Sequence, residues 1–102
     1  MNCRGKQVLL TGATGGIGQA IAVELDRAGA ALTLVGRSEE KLADLRGRLG
    51  GGHASIAADL NDAAQRETVV RHCEEAGLDI FVSTVGVMDF RLFEEQDAAA
   101  IE

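Results

Sequence analysis

The sequence of 102 residues contains no proline, no tyrosine and no tryptophan, and its two cysteines are Cys3 and Cys73. Because no proline marks a linker, we expect a single domain over residues 1–102. Two distant cysteines without a secretory leader are typical of free thiols in a reducing compartment. Neither cysteine has neighbours at metal-ligand spacing, so we expect no metal site.

Long apolar runs and positive charge are also scarce. No apolar run approaches the ~18 residues of a membrane-spanning helix, and the first residues lack the apolar segment of a signal peptide. We therefore expect a cytoplasmic protein without a membrane partner. The formal net charge of -6 argues against a nucleic-acid partner, because proteins that bind nucleic acid present a basic face.

The most informative stretch is Thr11-Gly12-Ala13-Thr14-Gly15-Gly16-Ile17-Gly18, which follows the apolar residues 8–10. Gly12 permits a tight turn after a strand, because glycine takes a positive φ without a Cβ clash. Gly16 leaves room for a phosphate, and Gly18 lets the next helix lie close to the strand. Glycines also mark ordinary turns, but a strand before and a helix after favour a site for a dinucleotide's pyrophosphate at the helix N-terminus.

Apolar periodicity predicts alternating strands and helices. The expected strands cover residues 8–10, 31–35, 54–58 and 78–82. The expected helices cover residues 16–28, the segment from a cap at Ser38 to Gly50, the segment from a cap at Asn61 or Asp62 to Gly77, and residues 93–102. This alternation predicts a Rossmann-like, doubly wound parallel sheet in the order 3-2-1-4, with helices on both faces. The ligand crevice is then expected between strands one and four.

Some local features carry expectations of their own. The first helix has one apolar stripe that we expect to be buried, made of Ile17, Ile21, Leu25 and Ala28. Gly29 is suited to the left-handed position that ends this helix. Asp62 and Gln65 have the spacing of a capping box. His53 and His72 have no metal-ligand spacing, and we expect both on the surface.

The turn Gly36-Arg37-Ser38 after strand two bears on the choice of dinucleotide. In dinucleotide-binding folds a carboxylate at the end of strand two binds the 2′-hydroxyl of NAD and repels the 2′-phosphate of NADP. Gly36 occupies that position here, and the guanidinium of Arg37 can form charge-assisted bonds with a phosphate. The pair favours NADP(H) over NAD(H). The alternative is a solvated Arg37 that pairs with Glu40.

The spacing Gly-x-x-x-Gly-x-Gly, with Thr11 before it and Ile17 inside it, resembles that of the short-chain dehydrogenase/reductase family. The resemblance covers residues 5–102 and the first half of the family's domain. It implies hydride exchange between a nicotinamide and a carbonyl or alcohol. It also implies a cofactor-binding set, namely Gly12, Thr14, Gly15, Gly16, Ile17, Gly18, Arg37, Ser38, Asp59, Leu60, Thr84 and Gly86.

Two members of that set need comment. The resemblance gives Asp59 the role of the acidic residue that faces the adenine ring, and the alternative is a turn residue that starts the third helix. Ser83-Thr84-Val85-Gly86 stands where the family has Asn-Asn-Ala-Gly, which braces the sheet beside the nicotinamide, and only Gly86 matches. Each hydroxyl offers one donor where an amide offers two.

No catalytic residue is assigned. The resemblance implies a serine, a tyrosine and a lysine beyond residue 102, whereas the lysines here are Lys6, before strand one, and Lys41, in helix two. We therefore expect the NADP(H)-binding half of a short-chain oxidoreductase, with a small-molecule substrate only in a full-length enzyme. The alternative is a stand-alone nucleotide-binding or interaction module without redox chemistry. An uncovered edge at residues 78–82 predicts self-association.

Overall fold

A computed structural model of the chain describes residues 2–84. Strands and helices alternate along these residues, in the order β1 (Gln7–Thr11), α1 (Gly16–Arg27), β2 (Ala31–Gly36), α2 (Glu39–Arg48), β3 (Ala54–Ala57), α3 (Ala63–Ala76) and β4 (Ile80–Ser83). The helix expected over residues 93–102 lies outside the described residues, as does Gly86.

The four described strands form one parallel sheet in the order β3-β2-β1-β4, which confirms the predicted order. β1 is central, with its residue Leu9 paired to Thr33 of β2 and to Phe81 of β4. A parallel strand covered on both faces needs successive apolar side chains. The apolar run at residues 8–10 meets this need, since each of its residues is at most 2% exposed.

Helices cover both faces of the sheet, as expected for a doubly wound fold. Side chains alternate between the two faces along a strand, so each strand contributes to two separate clusters. The cluster under α1 and α2 includes Val8, Leu10, Ala22, Leu25, Leu32, Leu34, Leu42 and Leu45. The cluster under α3 includes Leu9, Val35, Ala58, Val69 and Cys73. Within residues 2–84, no helix is both long and apolar enough to cross a membrane.

The predicted apolar stripe of α1 is wrong at Ile17, whose side chain is 72% exposed. The buried residues of this helix are Gly18, Ala22 and Leu25. They lie four and three residues apart, so they share one face of a helix. Ile21 and Ala28 of the predicted stripe pack against the same cluster as Leu25, so the prediction fails only in the first turn, where Gly18 is buried instead of Ile17.

The residues that end α1 and begin α3 are among those expected from the sequence, whereas the capping box and the bounds of β4 differ from the prediction. Gly29 has a φ of +93° at the end of α1, and Asp62 rather than Asn61 caps α3 by accepting from a backbone N–H. Gln65 does not complete a capping box, because its side-chain oxygen accepts from the backbone N–H of Asp59. β4 covers residues 80–83 instead of 78–82. The expected self-association along β4 stays a prediction.

The expectation of surface histidines is wrong for His53, whose side chain is 3% exposed. Its Nδ1 accepts the N–H of Leu32 at 3.1 Å, and its Nε2 lies 2.7 Å from Oδ1 of Asp26. Because Nδ1 accepts a backbone N–H, the proton is on Nε2 and is donated to the carboxylate. Asp26 also accepts the N–H of Gly50 at 3.1 Å. This cluster connects α1, the start of β2 and the loop before β3.

His72 is also not a free surface residue. It is half-buried on α3, and its Nε2 lies 3.2 Å from the hydroxyl of Thr33 in β2. Both histidines therefore satisfy polar groups at the edge of the core. Their partners are more than twenty residues away in sequence, so the local pattern carried no signal for either contact.

We predict that Asp26→Asn lowers the free energy of unfolding by about 1–3 kcal/mol near neutral pH, because it removes charge-assisted hydrogen bonds. The hydrogen bond from His53, followed by that from Gly50, lowers the pKa of the Asp26 carboxyl. Because the pKa of Asp26 is lower in the native state than in the unfolded state, its ionised carboxylate stabilises the fold at any pH above the unfolded-state pKa. This stabilisation is lost as the pH falls through the native-state pKa.

Urea denaturation of the wild type and of Asp26→Asn, at pH 7 and at a series of lower pH values, measures this loss of stability. The difference in unfolding free energy should shrink once the pH falls below the ordinary aspartate value of about 3.9. Asp44→Asn is the control, since Asp44 is exposed and lies 3.7 Å from Arg48, and it should change stability by less than about 0.5 kcal/mol. A loss of equal size at every pH would contradict the electrostatic explanation.

Candidate functional site

The glycine loop, residues 12–15, connects β1 to α1 at the carboxyl edge of the sheet. Gly12 has a φ of +69°, as its place in a tight turn predicted. The N–H of Gly15 donates to the carbonyl of Gly12 at 3.2 Å, and the N–H of Ala13 donates to the carbonyl of Val35 at 3.1 Å. The loop is therefore closed on itself and attached to the end of β2.

Gly18 allows the first turn of α1 to lie directly on this loop. A Cβ at Gly18 would lie 2.9 Å from the Cα of Ala13 and would also collide with the carbonyl of Gly12. The close approach predicted for Gly18 is therefore confirmed. Around a Cβ at Gly16, by contrast, no atom lies within 4 Å. This position faces open space, in front of the helix N-terminus.

The N-terminus of α1 has the features of an anion site. Gly15 is the N-cap, no side chain caps the helix, and its first turn contains no acidic residue. The first N–H groups of a helix have no partner within the helix and lie at the positive end of its dipole. A phosphate can accept hydrogen bonds from such groups without a basic side chain.

Thr84 attaches the end of β4 to the same loop. Its N–H donates to the carbonyl of Thr11 at 3.2 Å. Its hydroxyl lies 2.9 Å from that carbonyl and 3.0 Å from the carbonyl of Gly12. The hydroxyl has a single proton, which the two carbonyl oxygens share. A threonine hydroxyl therefore braces the loop from the β4 side.

The end of β2 lies against the glycine loop from the other side. A Cβ at Gly36 would be 3.3 Å from the hydroxyl oxygen of Thr14. Arg37 follows with an exposed side chain, and none of the ion pairs formed by residues 2–84 involves it. The expected alternative, a pair with Glu40, is not formed. Ser38 caps α2 by accepting a backbone N–H at 3.2 Å, and its hydroxyl proton remains available for donation.

The turn after β3 is held by side chains of α3. Oδ1 of Asp59 accepts the N–H of Asn61 at 3.0 Å, and Arg66 donates to the carbonyl of Leu60 at 2.9 Å. Asp59 therefore has the role of a turn residue before α3. No partner of its second carboxylate oxygen lies within the described part of the chain. A contact of Asp59 with adenine stays a prediction.

Sequence reasoning missed Gln19 and Arg48. Nε2 of Gln19 donates to the carbonyl of Thr14 in the glycine loop at 2.8 Å. Arg48, the last residue of α2, donates to Oε1 of Gln19 at 2.7 Å. Polar residues on a helix surface are common, and nothing in their spacing links positions in two different helices. The contacts depend on the packing of α1 beside α2.

Thiol and metal chemistry have no support in the described part of the chain. Cys3 and Cys73 are free and buried. Burial, followed by the charge of Glu74, raises the pKa of the Cys73 thiol, which keeps it protonated and unreactive. In the range 2–84, no group of three or more histidine, cysteine, aspartate or glutamate side chains is placed to hold a metal ion.

We predict that Gly18→Ala lowers the free energy of unfolding by about 1–3 kcal/mol, the usual cost of overpacking, because its Cβ collides with backbone that cannot rotate away. Gly16→Ala is the matched control two residues earlier, with open space around the new methyl group. Its unfolding free energy should be unchanged or higher by up to about 1 kcal/mol. Urea denaturation measures both, and equal losses would contradict the close contact at Gly18.

The sequence model described as short chain dehydrogenase matches residues 6–102. Glucose 1-dehydrogenase of Gluconobacter oxydans is 38% identical over 88 residues, which are 80% of this chain and 33% of that protein. The chain spans about a third of the length of the curated relatives it matches.

Solved structures show the same arrangement of strands and helices. A short-chain dehydrogenase/reductase of the glucose/ribitol dehydrogenase type from Brucella melitensis is 34% identical, with a TM-score of 0.78, over 87% of this chain and 40% of that one. A 3-ketoacyl-(acyl-carrier-protein) reductase from Brucella melitensis, complexed with NADH, is 28% identical, with a TM-score of 0.72. This match covers 78% of this chain and 34% of that one. With the family match over residues 6–102, these similarities show that the chain belongs to the short-chain dehydrogenase/reductase family.

Proposed function

We propose that the chain is the NADP(H)-binding part of a short-chain oxidoreductase, in which hydride passes between the nicotinamide and a carbonyl or alcohol. The observation that carries this proposal is the uncapped N-terminus of α1 against the glycine loop. It lies at the carboxyl edge of the sheet, where the strand order reverses between β1 and β4. Ligands of open α/β sheets bind at this point.

In this proposal the pyrophosphate lies on the first N–H groups of α1, opposite the open position at Gly16. The adenosine ribose faces the turn at Arg37 and Ser38, and the adenine faces Asp59 and Leu60. The cofactor-binding residues are Gly12, Thr14, Gly15, Gly16, Ile17, Gly18, Arg37, Ser38, Asp59, Leu60, Thr84 and Gly86.

The preference for NADP(H) is argued from the end of β2. One Brucella relative was solved with NADH, so membership of the family does not select between the two cofactors. Gly36 places no carboxylate beside the ribose, and Arg37 has no ion pair within residues 2–84 that a phosphate would have to displace. A 2′-phosphate would give this guanidinium a partner of opposite charge.

We predict that Arg37→Ala weakens NADPH binding by about tenfold or more, because charge-assisted bonds contribute about 1.5–3 kcal/mol. NADH affinity should change by less than about twofold, since NADH lacks the phosphate. Titration of both cofactors by fluorescence or calorimetry measures the two affinities. Arg46→Ala is the charge-matched control, because Arg46 bonds to Ser55 of β3. Equal losses for NADPH and NADH would overturn the proposed preference.

We also propose that these 102 residues do not catalyse hydride transfer by themselves. A positioned general acid contributes about 10²–10⁴-fold and must lie within hydrogen-bond reach of the substrate oxygen. The resemblance to the family implies a tyrosine in this role, and this sequence has none. Thr84 already shares its hydroxyl proton between two backbone carbonyls, so it has no proton free for a substrate.

The expected result is NADPH binding without NADPH oxidation. The assay follows NADPH absorbance with a panel of ketones and aldehydes, using protein purified free of host reductases. Gly16→Asp serves as the variant in which a carboxylate blocks the pyrophosphate position, so it should lose binding. Turnover by the unmodified chain that disappears in Gly16→Asp would show that the chain is catalytic.

A second candidate is a stand-alone nucleotide-binding or interaction module without redox activity. It is favoured by Ser83 and Thr84, which replace the two asparagines that the resemblance implies beside the nicotinamide. The two candidates differ in the behaviour of the protein at its natural length. NADPH-dependent reduction of any carbonyl by that protein would support the oxidoreductase, and nucleotide binding without reduction of the whole panel would support the module.

A further inference from the structure

The Thr14–Gly15 peptide of the glycine loop is held at both of its polar groups. Its carbonyl accepts from Nε2 of Gln19 at 2.8 Å, and its N–H donates to the carbonyl of Gly12 at 3.2 Å. A peptide group fixed at both ends cannot rotate without breaking a hydrogen bond. This peptide comes immediately before the N–H groups of the first turn of α1, which are the proposed donors to the pyrophosphate.

The orientation of the Gln19 amide is determined by Arg48. A guanidinium can only donate and a carbonyl can only accept. The amide oxygen of Gln19 must therefore face Arg48, at 2.7 Å, and its NH₂ group must face the carbonyl of Thr14. Arg48 is itself 3.7 Å from the carboxylate of Asp44 one helical turn earlier. The last turn of α2 is thereby connected through α1 to the glycine loop.

We propose that Gln19 is a positioning residue of the cofactor site, with Arg48 acting through it. Gln19 and Arg48 hold the carbonyl oxygen of Thr14, which carries a partial negative charge, away from the space that a phosphate would occupy. If this carbonyl turned toward that space, it would repel the anion and compete with it for the adjacent N–H groups. This inference rests on the proposed binding of a dinucleotide at the N-terminus of α1.

The substitution Gln19→Glu distinguishes two possible roles of Gln19, namely orienting the glycine loop and linking α1 to α2. A carboxylate keeps the contact with Arg48 and makes it an ion pair, so the tie between α1 and α2 is preserved. It cannot donate to the Thr14 carbonyl when ionised, and it repels that oxygen. We therefore expect Gln19→Glu to retain the wild-type free energy of unfolding and to weaken NADPH binding about three- to tenfold or more.

Gln19→Leu and Arg48→Met complete the set of variants. Gln19→Leu removes both bonds and should weaken NADPH binding about three- to tenfold. Arg48→Met keeps much of the side-chain stem and should cause a smaller loss. Because Arg48 acts through Gln19, the double variant that combines Gln19→Leu with Arg48→Met should bind NADPH no more weakly than Gln19→Leu alone. Arg46→Met removes the same charge from the same helix two residues earlier and should leave binding unchanged.

The experiment measures three quantities for each variant. They are the free energy of unfolding in urea, the affinity for NADPH and for NADH, and the exchange rate of the Gly15 amide in the ligand-free protein by NMR. The Gly15 amide should exchange faster in Gln19→Leu and Gln19→Glu, by more than any change in the free energy of unfolding of the variant accounts for. Wild-type affinity in Gln19→Glu, or equal losses in Arg46→Met, would overturn the positioning role.

The binding measurements distinguish failure of the proposed cofactor site from failure of the positioning role of Gln19. If the wild type binds neither NADPH nor NADH, the dinucleotide site is refuted and so is the role of Gln19 in it. The Gly15 exchange rates then still decide whether Gln19 orients the loop. If the wild type binds a cofactor and both Gln19 variants bind it equally well, the positioning role alone is refuted.

Discussion

The missing side chain at Gly18 sets how closely α1 approaches the end of β1, and several features of the site depend on that distance. A Cβ at this position would collide with backbone atoms of residues 12 and 13. With Gly18 against the loop, Ala22 and Leu25 face the core on the same side of the helix. Ile17 is then turned into solvent at the mouth of the loop. The first N–H groups of α1, which have no partner within the helix, lie at the carboxyl edge of the sheet.

Three separate segments keep the glycine loop in place. Val35 at the end of β2 accepts the N–H of Ala13, Thr84 after β4 donates to the loop from the other side, and Gln19 holds the Thr14 carbonyl from α1. Each bond is worth only about 0.5–1.5 kcal/mol by itself. Together they hold the loop without a ligand, so binding would not have to include the entropy of ordering it. An anion site made of backbone groups needs such order, because its donors cannot adjust as side chains do.

The charge distribution shows why composition is a weak guide to the ligand of a protein like this one. The chain has a formal net charge of -6, yet its proposed ligand carries several negative charges. The attraction comes from a helix N-terminus without acidic residues in its first turn and from an exposed Arg37. Charges beyond a Debye length of about 8–10 Å are largely screened at physiological salt. A local site can therefore be positive on an acidic protein.

The sequence by itself determined the succession of strands and helices, the turn at Gly12 and the close contact at Gly18, because these follow from local apolar runs and from residues without a Cβ. The order of the strands in the sheet followed from that alternation together with the topology of doubly wound folds. Only the tertiary structure decided which residue of the first turn of α1 is buried, since the contact of Gly18 with the loop turns Ile17 into solvent. The buried His53–Asp26 pair and the bond from Gln19 to the glycine loop also depend on tertiary packing. Polar residues of this kind are neither apolar nor periodic. Their partners come from segments that meet only when α1, α2 and the sheet have packed together.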